Sequence, residues 1–190
     1  MYQKNLKSEF PVDLATLCST IARCVSQDIT VEAAIVNYYP VGTTMGGHLD
    51  DAEHTMEKPI VSISLGLSAL FLIGGRSRSV TPTAVLVRSG DAVIMSGESR
   101  YCYHGVPVIL PIDFEPLPDD MEKGADVGKK VNDLQYMVDY ASREGCPDCV
   151  RSVVQYLQQA RINMNVRQVT ISGGADQEWV EKCGTGATKS

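Results

Sequence analysis

The chain has 190 residues, a hydrophobic content of 44%, a charged content of 21% and a formal net charge of −6. These values fit one globular domain over 1–190 with a sizeable core, and the acidic balance excludes a global attraction to nucleic acid, though not a local basic patch. No run of eighteen apolar residues offers a membrane span, and the polar start MYQKNLKSEFPVDL does not read as a signal peptide.

In chain order, PVDLATLCSTIARCVS at 11–26 carries Leu14, Leu17, Ile21 and Val25 at three- and four-residue spacing. The spacing predicts an amphipathic helix with Asp13 as its cap. VEAAIVNYY at 31–39 reads as a strand ending at Pro40, and Gly46-Gly47 gives slack before the next segment. His48-Leu49-Asp50 follows, with DAEHTMEK at 51–58 as a polar loop beyond it. On a strand, residues two apart share a face. Two imidazoles and a carboxylate can take one face of an Fe(II) ion and leave the other open. The third ligand must then come from another strand, and His104 is the candidate. The His-x-Asp pair alone is a weak signal, because short motifs of this kind recur by chance.

From Pro59 the pattern is β. Ile60–Leu65, Ala69–Ile73, Pro82–Arg88, Ala92–Met95 and Tyr101–Pro107 are short apolar runs separated by Gly66, Gly74-Gly75, Ser89-Gly90-Asp91 and Ser96-Gly97. Many short strands with glycine-rich turns argue for a sandwich or barrel. Arg76, Arg78, Arg88 and Arg100 fall within this stretch, and Arg76 with Arg78 could meet phosphate if they form a local basic patch. Residues 111–146 read as a loop insertion. PDCVRSVVQYLQQA at 147–160 suits a helix with Pro147 in its first turn. Cys146 and Cys149 have zinc-knuckle spacing, but no second pair completes four ligands; the six cysteines read as reduced thiols, with Cys183 or His54 needed to build any zinc site.

Residues 161–171 return to strand, and 173–190 reads as a frayed tail. Arg161 and Arg167 are six apart, so on a strand they point the same way. Buried guanidinium groups need anions, and a pair suits a small dicarboxylate. Two solvated surface arginines would give the same spacing. Iron triad and arginine pair together describe an oxygenase that consumes 2-oxoglutarate at a non-haem iron.

The motifs Asn37-Tyr-Tyr-Pro40, His48-x-Asp50, Pro59–Gly66, Leu72–Gly75, Ser89-Gly-Asp91, Ser96–Arg100, Tyr103-His104-Gly105 and Arg161-x-Asn163-x-x-x-Arg167-Gln168 follow one another in order. In that order the chain resembles the AlkB family of Fe(II)- and 2-oxoglutarate-dependent nucleic acid dioxygenases, from about Ala34 to Val169. The long insertion after His104 and the wording of 160–169 are similar to the subgroup of the first mammalian AlkB homologue. The resemblance implies a mainly β protein with flanking helices, a double-stranded β-helix or jelly roll with a core at about 31–171. It implies Fe(II) on His48, Asp50 and His104, with 2-oxoglutarate and O2 as co-substrates. It places Arg161 on the distal carboxylate with Tyr39 and Asn163, and Arg167 and Asn37 near the carboxylate that chelates iron.

The implied activity is oxidative removal of N-methyl groups from bases, methyladenine first, in tRNA or DNA, with release of formaldehyde, succinate and CO2. Glu53, Arg76, Arg78 and Arg100 are the substrate candidates. The implied location is inside the cell, in nucleus, cytoplasm or mitochondrion, with no membrane partner; the oligomeric state is left open. Two departures concern substrate choice: 36 residues precede Asn37, fewer than the lid-bearing family members carry, and Ala52 stands where the bacterial enzyme has an acidic residue. A protein dioxygenase acting on histone or other lysines, and a binding module that holds iron and 2-oxoglutarate without productive catalysis, are the competing readings.

Overall fold

The computed structural model describes residues 9–53, 55–112 and 133–170. The strands are β1 (Ala33–Pro40), β2 (Met45–His48), β3 (Ile60–Gly66), β4 (Ala69–Ile73), β5 (Thr83–Val87), β6 (Ala92–Met95), β7 (His104–Ile109) and β8 (Ala160–Arg167). They form two four-stranded sheets, β1-β8-β3-β6 and β2-β7-β4-β5, in which every pairing is antiparallel. The chain crosses repeatedly between the sheets, which is the winding of a double-stranded β-helix.

Alternation along β8 and β3 decides what lies inside. Val61, Ile63, Met164 and Val166 point outward under the helix α1 (Val12–Arg23), where Cys18 and Ala22 meet them. Ser62, Ser64, Arg161, Asn163 and Arg167 occupy the opposite face, which looks into the space between the sheets. Tyr39, Leu67, Ala69, Val106 and Ile109 make the apolar core there. One end of the interior is therefore dry and the other polar.

The helix α1 is shorter than its apolar spacing predicts, and it is rotated. Leu17 and Val25 are about half exposed, whereas Cys18 and Ala22 are fully buried. Small side chains let the helix approach the sheet closely, and that outweighs the larger Leu17. Pro11 precedes the helix and no side chain caps it; Asp13 lies in the first turn, where its charge favours the helix dipole.

Three further differences have local causes. Gly46 and Gly47 sit within β2 instead of a slack turn. A 3-10 turn, Gly97–Tyr101, delays β7 to His104, held by reciprocal hydrogen bonds between Ser96 and Ser99. A helix, α2 (Asp133–Ala141), lies in the expected insertion, with Leu134, Met137, Val138 and Ala141 as its less exposed face. It packs against α3 (Asp148–Leu157), which covers β3 and β8 and is preceded by Pro147. Residues 113–132 of the insertion, His54, Cys183 and the expected tail lie outside the described residues.

Gly66 closes β3 at φ +85°, and a side chain there would run into the Ala160 carbonyl. Gly66→Ala should therefore destabilise the fold by roughly 1–3 kcal/mol, from left-handed backbone strain plus the collision. Urea unfolding monitored by circular dichroism checks this; wild-type stability would contradict it.

Candidate active site

His48 ends β2 and His104 begins β7, and the two are direct cross-strand partners. Their rings lie 4.4 Å apart between centroids. The approach of β2 to β7 needs Gly105, because a β-carbon there would lie 2.9 Å from the Met45 carbonyl oxygen. Asp50 follows on the loop beyond β2, with its Oδ2 3.6 Å from His104 Nε2. One ligand atom from each of His48, Asp50 and His104 lies within 4.8 Å of the others.

Both rings are oriented by main-chain carbonyls. His48 Nδ1 is 3.0 Å from the Gly46 oxygen, and His104 Nδ1 is 3.1 Å from the Cys102 oxygen. A carbonyl only accepts, so each Nδ1 carries the proton and each Nε2 keeps its lone pair. Burial raises the Asp50 carboxyl, but the nearness of His104 and the charge of Arg167 outweigh it and leave the group below its ordinary value. Asp50 Oδ2 is buried without a hydrogen-bond partner. Two free imidazole nitrogens and an unsatisfied carboxylate oxygen on one side fit a divalent iron site with its other positions open.

Arg161 lies between Tyr39 and Gly66 on neighbouring strands. It is 3% exposed and sits 5.4 Å from the centre of the Tyr39 ring. Nη2 donates to Ser64 Oγ at 2.9 Å, while Nε and Nη1 are buried without partners. Burial lowers the guanidinium from its usual value, with Tyr39 opposing; burial also raises the Tyr39 hydroxyl, with Arg161 opposing and Asp50 adding to the rise. The Tyr39 hydroxyl rests on Met45 Sδ at 3.4 Å.

Asn163 donates to Ser62 Oγ at 2.7 Å and to the Ile63 carbonyl at 3.2 Å, and its Oδ1 accepts from Asn37 at 3.4 Å. Arg167, 4% exposed, pairs with Glu53 and leaves Nε and Nη2 without hydrogen-bond partners, although Nη2 is 3.6 Å from Asp50 Oδ2. Four unpartnered guanidinium nitrogens thus surround the interior beside the triad. That is the complement of a small molecule with a carboxylate at each end.

The substrate candidates separate. Arg100 is 1% exposed and donates to the Lys58 and Asp50 carbonyls and to Glu53. It is committed inside the protein and does not face a nucleic acid, which corrects the expectation from position alone; the side chain of Glu53, 2% exposed, is likewise internal. Arg76 is exposed, ion-paired with Glu98 and stacked over Tyr101. Arg78 donates to the Gly47 carbonyl at 3.0 Å and stacks over Tyr103, so it touches the neighbour of each histidine. It lines a cleft of about 530 Å³ with Gly47, Leu72, Val80, Tyr103 and His104. Ser62 and Ser64 were not singled out from the sequence, though small polar residues at alternate places in an apolar strand signal a polar inner face.

The family model of the 2OG-Fe(II) oxygenase superfamily matches residues 1–167, which sets the class. The DNA N(6)-methyladenine demethylase ALKBH1A of Arabidopsis thaliana is 40% identical over 156 residues, covering 82% of this chain and 39% of the relative. The N6-methyladenosine RNA demethylase ALKBH of Cryphonectria parasitica is 33% identical over 181 residues, covering 89% of this chain and 69% of the relative. The solved structure of OsALKBH1 has the same fold, with a TM-score of 0.59 at 21% identity, over 84% of this chain and 66% of that one. The chain belongs to the AlkB family, in its ALKBH1 subgroup. It spans about two-fifths of the length of the Arabidopsis protein.

If Arg161 takes a carboxylate of 2-oxoglutarate, removing it would leave that anion without its fork, a loss on the order of 3–5 kcal/mol for a buried pair. Arg161→Ala should therefore raise the 2-oxoglutarate dissociation constant by about two to three and a half orders of magnitude. Arg161→Lys should recover only part of this, because an ammonium is a single point donor. Titration calorimetry on Mn(II)-loaded protein checks it; wild-type affinity in the lysine variant would contradict the two-pronged contact.

Proposed function

We propose that this chain is the catalytic core of a 2-oxoglutarate-dependent nucleic acid dioxygenase that removes methyl groups from N-methylated bases, methyladenine first, in tRNA or DNA. The observation that carries the reading is the three-donor cluster of His48, Asp50 and His104 beside the buried, half-partnered Arg161 and Arg167. His48, Asp50 and His104 would hold Fe(II), and Arg161 with Arg167 would hold 2-oxoglutarate. Iron so held would supply hydroxylation of an N-methyl carbon, one oxygen atom of O2 going to that carbon and the other to succinate as 2-oxoglutarate loses CO2; the hydroxymethyl amine would then break down to formaldehyde and the free base.

The chain's own residues do the rest. The Gly46 and Cys102 carbonyls aim the two imidazoles, and the ring of Tyr39 walls the Arg161 side. Arg78, which donates to the Gly47 carbonyl and stacks over Tyr103 next to the two histidines, would meet a phosphate of the substrate. Arg76 is a second phosphate contact: its exposed pair with Glu98 is worth under about 1 kcal/mol, so a phosphate can replace the carboxylate. The activity belongs inside the cell, where transfer RNA and DNA reside.

The two relatives described above are demethylases by name, one of DNA and one of RNA. Unpaired bases cost less to bring to the iron than stacked, paired ones. Methyladenine in single-stranded and stem-loop oligonucleotides should be demethylated faster than in a matched duplex, read by mass spectrometry of digested nucleosides with Fe(II), 2-oxoglutarate and ascorbate. Equal rates on all three, or succinate release stimulated only by a protein substrate, would overturn the reading.

A further inference from the structure

The side chain of Glu53 is 2% exposed, and each of its oxygens meets a different buried arginine: Oε1 accepts from Arg167 Nη1, and Oε2 accepts from Arg100 Nη2 at 3.2 Å. Arg100 places Nη1 on the Asp50 carbonyl at 2.9 Å and Nε on the Lys58 carbonyl at 3.0 Å. From the other side, Arg167 Nη2 stands 3.6 Å from Asp50 Oδ2. The contacts close a ring that runs from the Asp50 carboxylate through Arg167, Glu53 and Arg100 to the Asp50 main-chain carbonyl. Two carboxylates balance two guanidinium groups within it.

The ring joins parts of unequal rigidity. Arg167 stands on β8, in the middle of a sheet, and Arg100 on the 3-10 turn before β7. Asp50 and Glu53 lie on the irregular segment between β2 and β3, where no strand ladder fixes the backbone. Buried charges keep their places only with partners. If Glu53 were neutral, the nearest anion to Arg167 would be Asp50, and the arginine would compete with a metal for that carboxylate.

We propose that Glu53 is a positioning residue: by holding Arg167 through Nη1 it keeps the Asp50 carboxylate available to the metal, leaves Arg167 Nε and Nη2 facing the anionic co-substrate, and through Arg100 fixes the main chain at Asp50. The proposal rests on the iron and 2-oxoglutarate reading. It assigns Arg100 and Glu53 to the architecture of the site rather than to the nucleic acid.

The test uses Glu53→Gln, which keeps the shape and removes the charge, with Asp148→Asn as a surface-charge control. Mn(II) binding and the spectrum of the bound ion are followed by electron paramagnetic resonance, and 2-oxoglutarate binding to the Mn(II)-loaded protein by calorimetry. Glu53→Gln should weaken Mn(II) binding by about tenfold or more, as losses of groups behind a metal ligand do. It should also weaken 2-oxoglutarate binding and change the bound Mn(II) spectrum, with the control unaffected. Wild-type affinities and spectrum in Glu53→Gln would overturn the proposal, even with a lowered melting temperature, because Glu53 would then only support the fold.

Should Glu53→Gln fail to fold, Glu53→Asp decides. It keeps the charge but is too short to span both arginines, so it should show the same weakened binding and altered spectrum. Unchanged values there would equally overturn the proposal. A wild-type protein that binds neither Mn(II) nor 2-oxoglutarate would instead refute the underlying metal reading.

Discussion

Arg161 projects from a central strand into the space between two sheets with two of its three nitrogens buried and unpartnered, and a charge so placed costs several kcal/mol unless an anion joins it. The fold is organised around that cost. Ser64 and the face of Tyr39 partly offset it. The apolar cluster of Leu67, Ala69, Val106 and Ile109 fills the rest of the interior, each large side chain there contributing roughly 1.5–3 kcal/mol by its burial. The strands thus carry apolar residues where the sheets must hold together and polar ones where a ligand must enter.

The cluster of His48, Asp50 and His104 follows a related division of labour. His48 and His104 are fixed by the β2–β7 ladder, and their tautomers by carbonyls two residues upstream in each case. Asp50 has no ladder of its own, and its position depends on Arg100 and Arg167. The carboxylate is consequently the member of the cluster most exposed to changes elsewhere in the chain. Its buried, unsatisfied oxygen lies 3.6 Å from the unsatisfied Nη2 of Arg167, so in the proposed site the metal and one end of the dicarboxylate would meet there.

The β-rich fold was legible because its strands are short apolar runs punctuated by glycine, and the period of two on 161–167 correctly put both arginines on one face. That His48, Asp50 and His104 come together was readable from residue type and spacing together with the family's motif order. The rotation of α1 was not, since apolar spacing alone favours Leu17 over Cys18, and only the closeness of the sheet reverses that choice. Arg100 was misplaced for a similar reason: an arginine after an apolar strand looks solvent-facing until the carbonyls of Asp50 and Lys58 are seen to receive it. Contacts between residues some forty to fifty positions apart leave no local trace in the sequence. α2 was hidden by the acidic, proline-containing segment before it.

The central claim is that one pocket holds a metal on His48, Asp50 and His104 and a 2-oxo dicarboxylate on the arginines, in direct contact with each other. Anaerobic addition of 2-oxoglutarate to the Fe(II)-loaded protein tests it most directly, through the visible charge-transfer absorption that arises only when the 2-oxo acid chelates the iron. The account predicts that the band appears with 2-oxoglutarate and is absent with succinate, which lacks the keto oxygen. Binding of both Fe(II) and 2-oxoglutarate without that band would show that they occupy separate places, and would contradict the account.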